Sequence, residues 1–182
     1  MHLHASTAAR RILAAAAVTC AAALVPAAAL AAPGHHAGPA RTTTPACATS
    51  GLDVWLDTNG TSGASHTGYK LNFTNLSGNT CTLFGYPGVS GVTLAGTQIG
   101  SAASRGSGTP HTVTLANGAT THALVVITST GVFPPSSCNA VTAAGLRVYP
   151  PNQTKSRVVP FPFSACSKSG TIYLSISTVG FP

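Results

Sequence analysis

The chain has 182 residues, 44% of them hydrophobic and 6% charged, and its nine Lys and Arg against two acids give a formal net charge of +7 at pH 7. There is no glutamate, and the two carboxylates, Asp53 and Asp57, fall in one short stretch. General acids, bases and hard-metal cages are built mainly from Asp, Glu and His converging on one pocket, so this composition argues against most enzyme classes.

Arg10-Arg11, an alanine-rich apolar run opening at Ile12-Leu13, and the small residues Ala29-Leu30-Ala31 give residues 1–31 the form of a secretory signal peptide cut after Ala31. Cutting after Ala32 would place Pro33 beside the scissile bond. Pro26 and the weak apolarity of alanine oppose an uncleaved anchor. Thr19 ahead of Cys20 opposes lipid attachment there, and the surroundings of Arg10-Arg11 fit twin-arginine export poorly. Without the leader, seven bases (Arg41, Lys70, Arg105, Arg147, Lys155, Arg157, Lys168) face two Asp, a net charge of +5.

Cys47, Cys81, Cys138 and Cys166 remain, and an even count in an exported chain reads as two structural disulfides. Their spacing is too wide for a zinc site. Four cysteines allow three pairings, among which the sequence does not choose. Sequential pairing, Cys47 with Cys81 and Cys138 with Cys166, closes loops of similar size and is the expected arrangement, each bond contributing roughly 3–4 kcal/mol through chain entropy.

Residues 32–46, APGHHAGPARTTTPA, hold nothing apolar enough to bury and read as a flexible tether. Residues 47–182 form one domain's length without a repeat or a break in composition. Leu52, Val54 and Leu56 alternate with Asp53, Trp55 and Asp57, and Tyr69, Leu71 and Phe73 with Lys70, Asn72 and Thr74, as in half-buried strands. Further strands are predicted over residues 81–84, 89–94, 112–115, 120–128, 146–149, 157–161 and 172–179, eight or nine in all. Asn59-Gly60, Ser77-Gly78-Asn79, Tyr86-Pro87-Gly88, Asn117-Gly118 and Pro134-Pro135 supply the turns, and no stretch past the leader has helical periodicity. The expectation is an all-β, immunoglobulin-like two-sheet sandwich with two disulfides. The single tryptophan, Trp55, lies on the first strand rather than between bridging cysteines, so the domain is at most immunoglobulin-like.

Several segments together resemble a known family. They are Cys47, Gly68-Tyr69-Lys70-Leu71-Asn72-Phe73-Thr74-Asn75, Cys81-Thr82-Leu83-Phe84-Gly85-Tyr86-Pro87-Gly88-Val89, Leu115-Ala116-Asn117-Gly118, Cys138, Leu146-Arg147-Val148-Tyr149-Pro150-Pro151 and Cys166. Over nearly all of residues 47–182 the chain is similar to the secreted actinobacterial domain-of-unknown-function 4232 family. That resemblance implies an immunoglobulin-like sandwich on an exported or cell-envelope protein, with no assigned activity, cofactor or catalytic residue. Many members of that family are lipoproteins, whereas Cys20 is poorly placed for lipidation.

Asp53 and Asp57 share a strand face with Cα atoms about 13 Å apart at ~3.3 Å per residue, wider than the roughly 5–9.5 Å that glycosidases use, and read as solvated outer-face charges. Gly88-Val89-Ser90-Gly91-Val92 lacks the last glycine of a nucleophile elbow, so Ser90 reads as turn chemistry. His66, His111 and His122 are scattered, and Pro33 interrupts any copper site at His35-His36. Lys155 and Arg157 alternate, but without the interleaved aromatics of a nucleic-acid platform. Gly85-Tyr86-Pro87-Gly88 fits a type II turn with Pro87 at i+1 and Gly88 at i+2. The loops carrying Tyr86, Pro87, Phe133 and Tyr149 are the candidate binding loops.

These observations converge on an exported, non-enzymatic and monomeric binding or interaction module without a cofactor, at the cell surface or in the medium. Its partner would be an envelope polymer or an extracellular protein and not nucleic acid. The alternative is a hydrolase or metal-dependent enzyme with a site invisible in sequence.

Overall fold

The computed structural model describes residues 43–182. The expected leader over residues 1–31 and most of the tether, with Cys20, His35 and His36, lie outside the described residues. The strands are β1 (Leu52–Ser62), β2 (His66–Asn75), β3 (Cys81–Phe84), β4 (Gly88–Val92), β5 (Gln98–Ile99), β6 (Ser104–Arg105), β7 (Thr112–Leu115), β8 (Thr120–Thr128), β9 (Ala140–Tyr149), β10 (Arg157–Cys166) and β11 (Leu174–Ile176). Short 3₁₀ turns cover Thr49–Gly51 and Thr130–Val132. A four-residue helix, α1 (Pro135–Cys138), forms where only a turn was expected. Pro135 sits in its first turn, where the missing N–H costs nothing.

Two sheets make a sandwich: one in the order β1-β2-β8-β11-β6, the other β10-β9-β4-β5. The expected two-sheet plan is extended by a separate β3-β7 pair. All pairings are antiparallel except β11 with β6. Among the described residues eleven strands exceed the expected eight or nine, because β5 and β6, two residues each, are too short for any alternation to show. Alternation does set the core: Leu71, Phe73, Ala123, Val125, Leu174 and Ile176 from the first sheet meet Val89, Leu146, Val148 and Val159 from the second.

Cys47 bonds Cys81 and Cys138 bonds Cys166, the sequential pairing. Two disulfides fit an oxidising compartment. The tether's last residues run beside β3, with the Pro45 carbonyl accepting from Thr82 N at 2.9 Å and Ala46 bridging Thr82.

Three local expectations are overturned. Gly88 does not take the positive φ of a type II turn, because it pairs with Tyr149 as the first residue of β4; Gly85, with φ of 98°, makes the bend instead. Ser90 is not in a turn but buried within β4 opposite Arg147. Lys155 also precedes β10 instead of alternating within it; its carbonyl accepts from Thr49 Oγ1 at 3.0 Å.

Candidate functional site

The four candidate binding-loop residues separate into two groups. Gly88 pairs with Tyr149, and Asn152 Nδ2 donates to the Phe84 carbonyl at 3.3 Å, so the loops around Tyr86 and Tyr149 are neighbours. Their apolar parts are largely spent on packing: Pro87, Pro150 and Pro151 are buried, and Tyr86 and Tyr149 are half-buried. The Tyr86 hydroxyl donates to the Gly108 carbonyl at 2.8 Å, and the Arg105 guanidinium lies 5.5 Å from its ring centroid, a cation–π distance. Phe133 sits before α1 and shares a hollow with Ala140, the first residue of β9, whereas Tyr149 ends that ten-residue strand, about 30 Å from Ala140 at ~3.3 Å per residue.

Near Phe133, between the two sheets, the sandwich opens into a cleft of about 350 Å³, within the ~300–1,000 Å³ range of small-ligand sites. Tyr69, Ile127 and Phe163 line its inner part, while Ser62, Ser65, Thr67, Thr128, Ser129, Thr130 and Ser164 supply hydroxyls, with His66 beside them. Among the described residues no Lys, Arg, Asp or Glu lines it. Thr130 Oγ1 and Ser164 Oγ are hydrogen-bonded at 2.9 Å, joining the strap after β8 to β10. A smaller hollow lined by Phe133, Pro135 and Ala140 shares Thr130 with the cleft.

The cleft wall belongs to a run of aromatic rings. Tyr69 meets Phe161 edge-on at 4.9 Å, Phe161 stacks on Phe163 at 6.1 Å, and Phe163 leans on Tyr173 at 6.4 Å. The β10–β9 register shifts between Pro160 and Phe163, the mark of a β-bulge, which presents Phe161 and Phe163 side by side. β10 can carry Pro160 and Pro162 because it is the edge strand of its sheet. The alternating Pro160-Phe161-Pro162-Phe163 was the available sequence signal for this wall. Tyr173 had none. It is fully buried, donates to the Ile99 carbonyl at 2.9 Å, and burial pushes its phenol up to about 12. Its hydroxyl is accommodated because residue 91 is glycine: a Cβ there would lie 2.7 Å from that oxygen.

Apart from His66, the acids and the other histidines among the described residues lie away from the cleft. Asp53 and Asp57 face outward on β1, and Asp57 Oδ1 accepts from Asn59 N at 2.9 Å in a local turn. His66 is at the cleft, opposite Thr128, whereas His122 is opposite Asn72, six residues along β2 and about 20 Å away at ~3.3 Å per residue. Burial, and secondarily the Lys70 charge, lower the His122 pKa and keep its imidazole neutral at pH 7. Among the described residues no three His, Cys, Asp or Glu side chains gather as a metal would require.

A family model described as "Domain of unknown function (DUF4232)" matches residues 47–179. No curated protein and no solved structure matches the chain. The match runs from the first disulfide cysteine to the buried Val179 and so takes in both sheets, both disulfides and the aromatic cleft; the chain belongs to this family of domains of unknown function.

Proposed function

We propose that the protein is an exported, monomeric, non-enzymatic binding module, acting at the cell surface or in the medium, that holds an uncharged ligand with an apolar part and a hydroxylated part. The observation that carries this reading is the cleft: an aromatic wall of Tyr69 and Phe163 inside, a rim of serine and threonine hydroxyls outside, and no charged side chain between. Apolar groups gain by leaving water against the rings, and the hydroxyls offer both donors and acceptors to a neutral polar head. Such a ligand is chemically an envelope component, or the side chains of an extracellular partner. Both carboxylates point outward from β1 rather than into the cleft, which leaves the cleft without an acid or base beyond His66.

The test is a titration of the ¹⁵N-labelled, processed protein with an alkyl glucoside below its micelle concentration. Amide shifts should cluster at Ser65, Thr128, Thr130 and Ser164 and disappear in Phe163→Ala. Shifts centred on Tyr86 and Tyr149, or none at all, would sink the reading.

A further inference from the structure

The outer face of the five-stranded sheet carries a second arrangement, built from residues the cleft does not use. The β1–β2–β8 register sets its rows. Asp53 lies beside Thr74 and Thr120, Trp55 beside Asn72 and His122, and Asp57 beside Lys70 and Leu124. Directly opposite residues on one face have Cβ atoms about 4.5–5.5 Å apart, and successive rows lie about 7 Å apart along the strands. The three rows therefore make one continuous patch centred on Trp55.

Trp55 is 43% exposed, although a tryptophan gains more than most side chains by being buried. Its position is nonetheless fixed. The indole Nε1 donates to Thr74 Oγ1 at 3.2 Å, and Thr74 Oγ1 is 2.8 Å from Thr120 Oγ1. The polar edge of the ring is thus satisfied within the sheet, and what remains in solvent is ring carbon. Around it stand acceptors (Asp53, Asp57), a cation (Lys70), a neutral imidazole (His122) and hydroxyls (Thr74, Thr120).

We propose that this face is a platform for an uncharged polysaccharide chain laid across β1, β2 and β8. The negative face of an aromatic ring attracts the partly positive C–H groups on a sugar ring, and the flanking carboxylates and amide accept its hydroxyl protons. Charge selects the occupant. Both carboxylates of the domain sit here, on an otherwise basic chain, so a polyanion is repelled from this face. Lys70, directly across from Asp57, opposes a cationic ligand. Asn72, buried between Trp55 and His122, donates Nδ2 to the Lys70 carbonyl at 3.1 Å and stiffens the patch, which lowers the entropy lost on binding.

The experiment is affinity electrophoresis of the purified secreted protein through gels holding soluble neutral β-glucan, mannan or arabinogalactan, with fluorescence of the single tryptophan read in parallel. At least one neutral polymer should retard the protein and shift its emission. Trp55→Ala should weaken retention by about ten-fold or more, and Trp55→Phe by less. Thr74→Val, which keeps the ring but frees the indole N–H, should weaken it while leaving the fold intact, so the idea stays testable if Trp55→Ala unfolds. Tyr69→Ala and Phe163→Ala should leave retention unchanged, which separates this platform from the cleft. No retardation by any neutral polymer, retention unchanged in Trp55→Ala, or retention only by anionic polymers that salt abolishes would each overturn the proposal.

Discussion

At the end of the sandwich where β2 finishes, aromatic and proline side chains are consumed by the fold. Pro87, Pro150 and Pro151 are buried, Tyr149 closes over Gly88, and the Tyr86 hydroxyl is bonded to the Gly108 carbonyl. Where β2 begins, Tyr69 and Phe163, half-buried like Tyr86 and Tyr149, instead line a cleft rimmed by hydroxyls. The contrast has a backbone cause. Gly88 and Tyr149 pair in an unbroken β4–β9 ladder that holds the first loops down, whereas the β9–β10 register slips after Pro160 and leaves Phe161 and Pro162 unmatched ahead of the Phe163–Ala143 pair. Tyrosine next to proline is a sign of packing when a ladder flanks it; at a bulge the same residue types line an opening.

The largest effects should come from the disulfides, and they test whether the two ends are independent. The bonds span 34 and 28 residues, so chain entropy assigns each nearly the same stabilisation, roughly 3–4 kcal/mol. Cys47→Ala with Cys81→Ala and Cys138→Ala with Cys166→Ala should therefore lower the urea-unfolding free energy about equally. Their effects on the cleft should differ. Cys138–Cys166 holds α1 against the end of β10, supported by Lys168 N donating to the Cys138 carbonyl and by Ser167 N donating to that of Asn139, both at 3.2 Å. Its loss should abolish the alkyl glucoside shifts even under conditions where the fold survives; equal shifts in both double variants would remove the distinction.

Next in size is Asn75, at the closed end. It is fully buried, donates Nδ2 to the Leu115 and Asn79 carbonyls at 2.9 and 2.7 Å, and accepts from Ser77 N and Oγ at 3.0 and 2.7 Å. Asn75→Ala strands the buried Leu115 carbonyl away from water and removes the bonds to the exposed Ser77 and Asn79, and should cost about 1–3 kcal/mol. A loss below ~0.5 kcal/mol, the size of an ordinary surface substitution, would mean that the closed end is not locked as described.

Tyr173, at the inner end of the aromatic run, adds a pH dependence. Its phenol is raised from 10.0 to about 12 in the folded chain, so above pH 10 the native state holds a proton the unfolded chain has given up. The corresponding stabilisation, on the order of 2–3 kcal/mol, is fully present below pH 10 and lost as pH rises through 12. Denaturant titrations between pH 9 and 12 should show a steeper loss for the native protein than for Tyr173→Phe. Parallel curves would remove Tyr173 as the cause.

Much of the fold was legible because its physics is local. The bounds expected for β3, β7 and β8 are those found, since Cys81–Phe84, Thr112–Leu115 and Thr120–Thr128 alternate or are β-branched and end at glycine or asparagine turns. β9 was underestimated, because Ala140–Gly145 is made of small residues with no contrast between faces. β10 was cut at Phe161, because proline argues against a strand unless it lies on an edge, and edge position is a property of the whole sheet. The cleft was hidden for the same reason: it exists only where a register shift in one sheet faces the hairpin of another. Trp55 was legible as outward-facing from its parity with Asp53 and Asp57, but its neighbours Asn72 and His122 come from strands 17 and 67 residues further along, and no spacing in the sequence announces that row.

The smallest effects give the sharpest contrast between the two ends, through one matched pair of conservative changes. Tyr86→Phe removes a hydroxyl that donates to a backbone carbonyl at the closed end, and should lower stability by about 1 kcal/mol, the net contribution of one such bond. It should not alter binding of the alkyl glucoside. Tyr69→Phe removes a hydroxyl from the aromatic wall of the cleft, so stability should change by no more than about 0.5 kcal/mol. Binding should weaken there, because a ligand hydroxyl loses its counterpart. Unfolding curves and shift titrations on the same two variants decide the matter: if Tyr86→Phe weakens binding while Tyr69→Phe weakens only the fold, the two ends have been assigned the wrong way round, and the loops around Tyr86 and Tyr149 become the site.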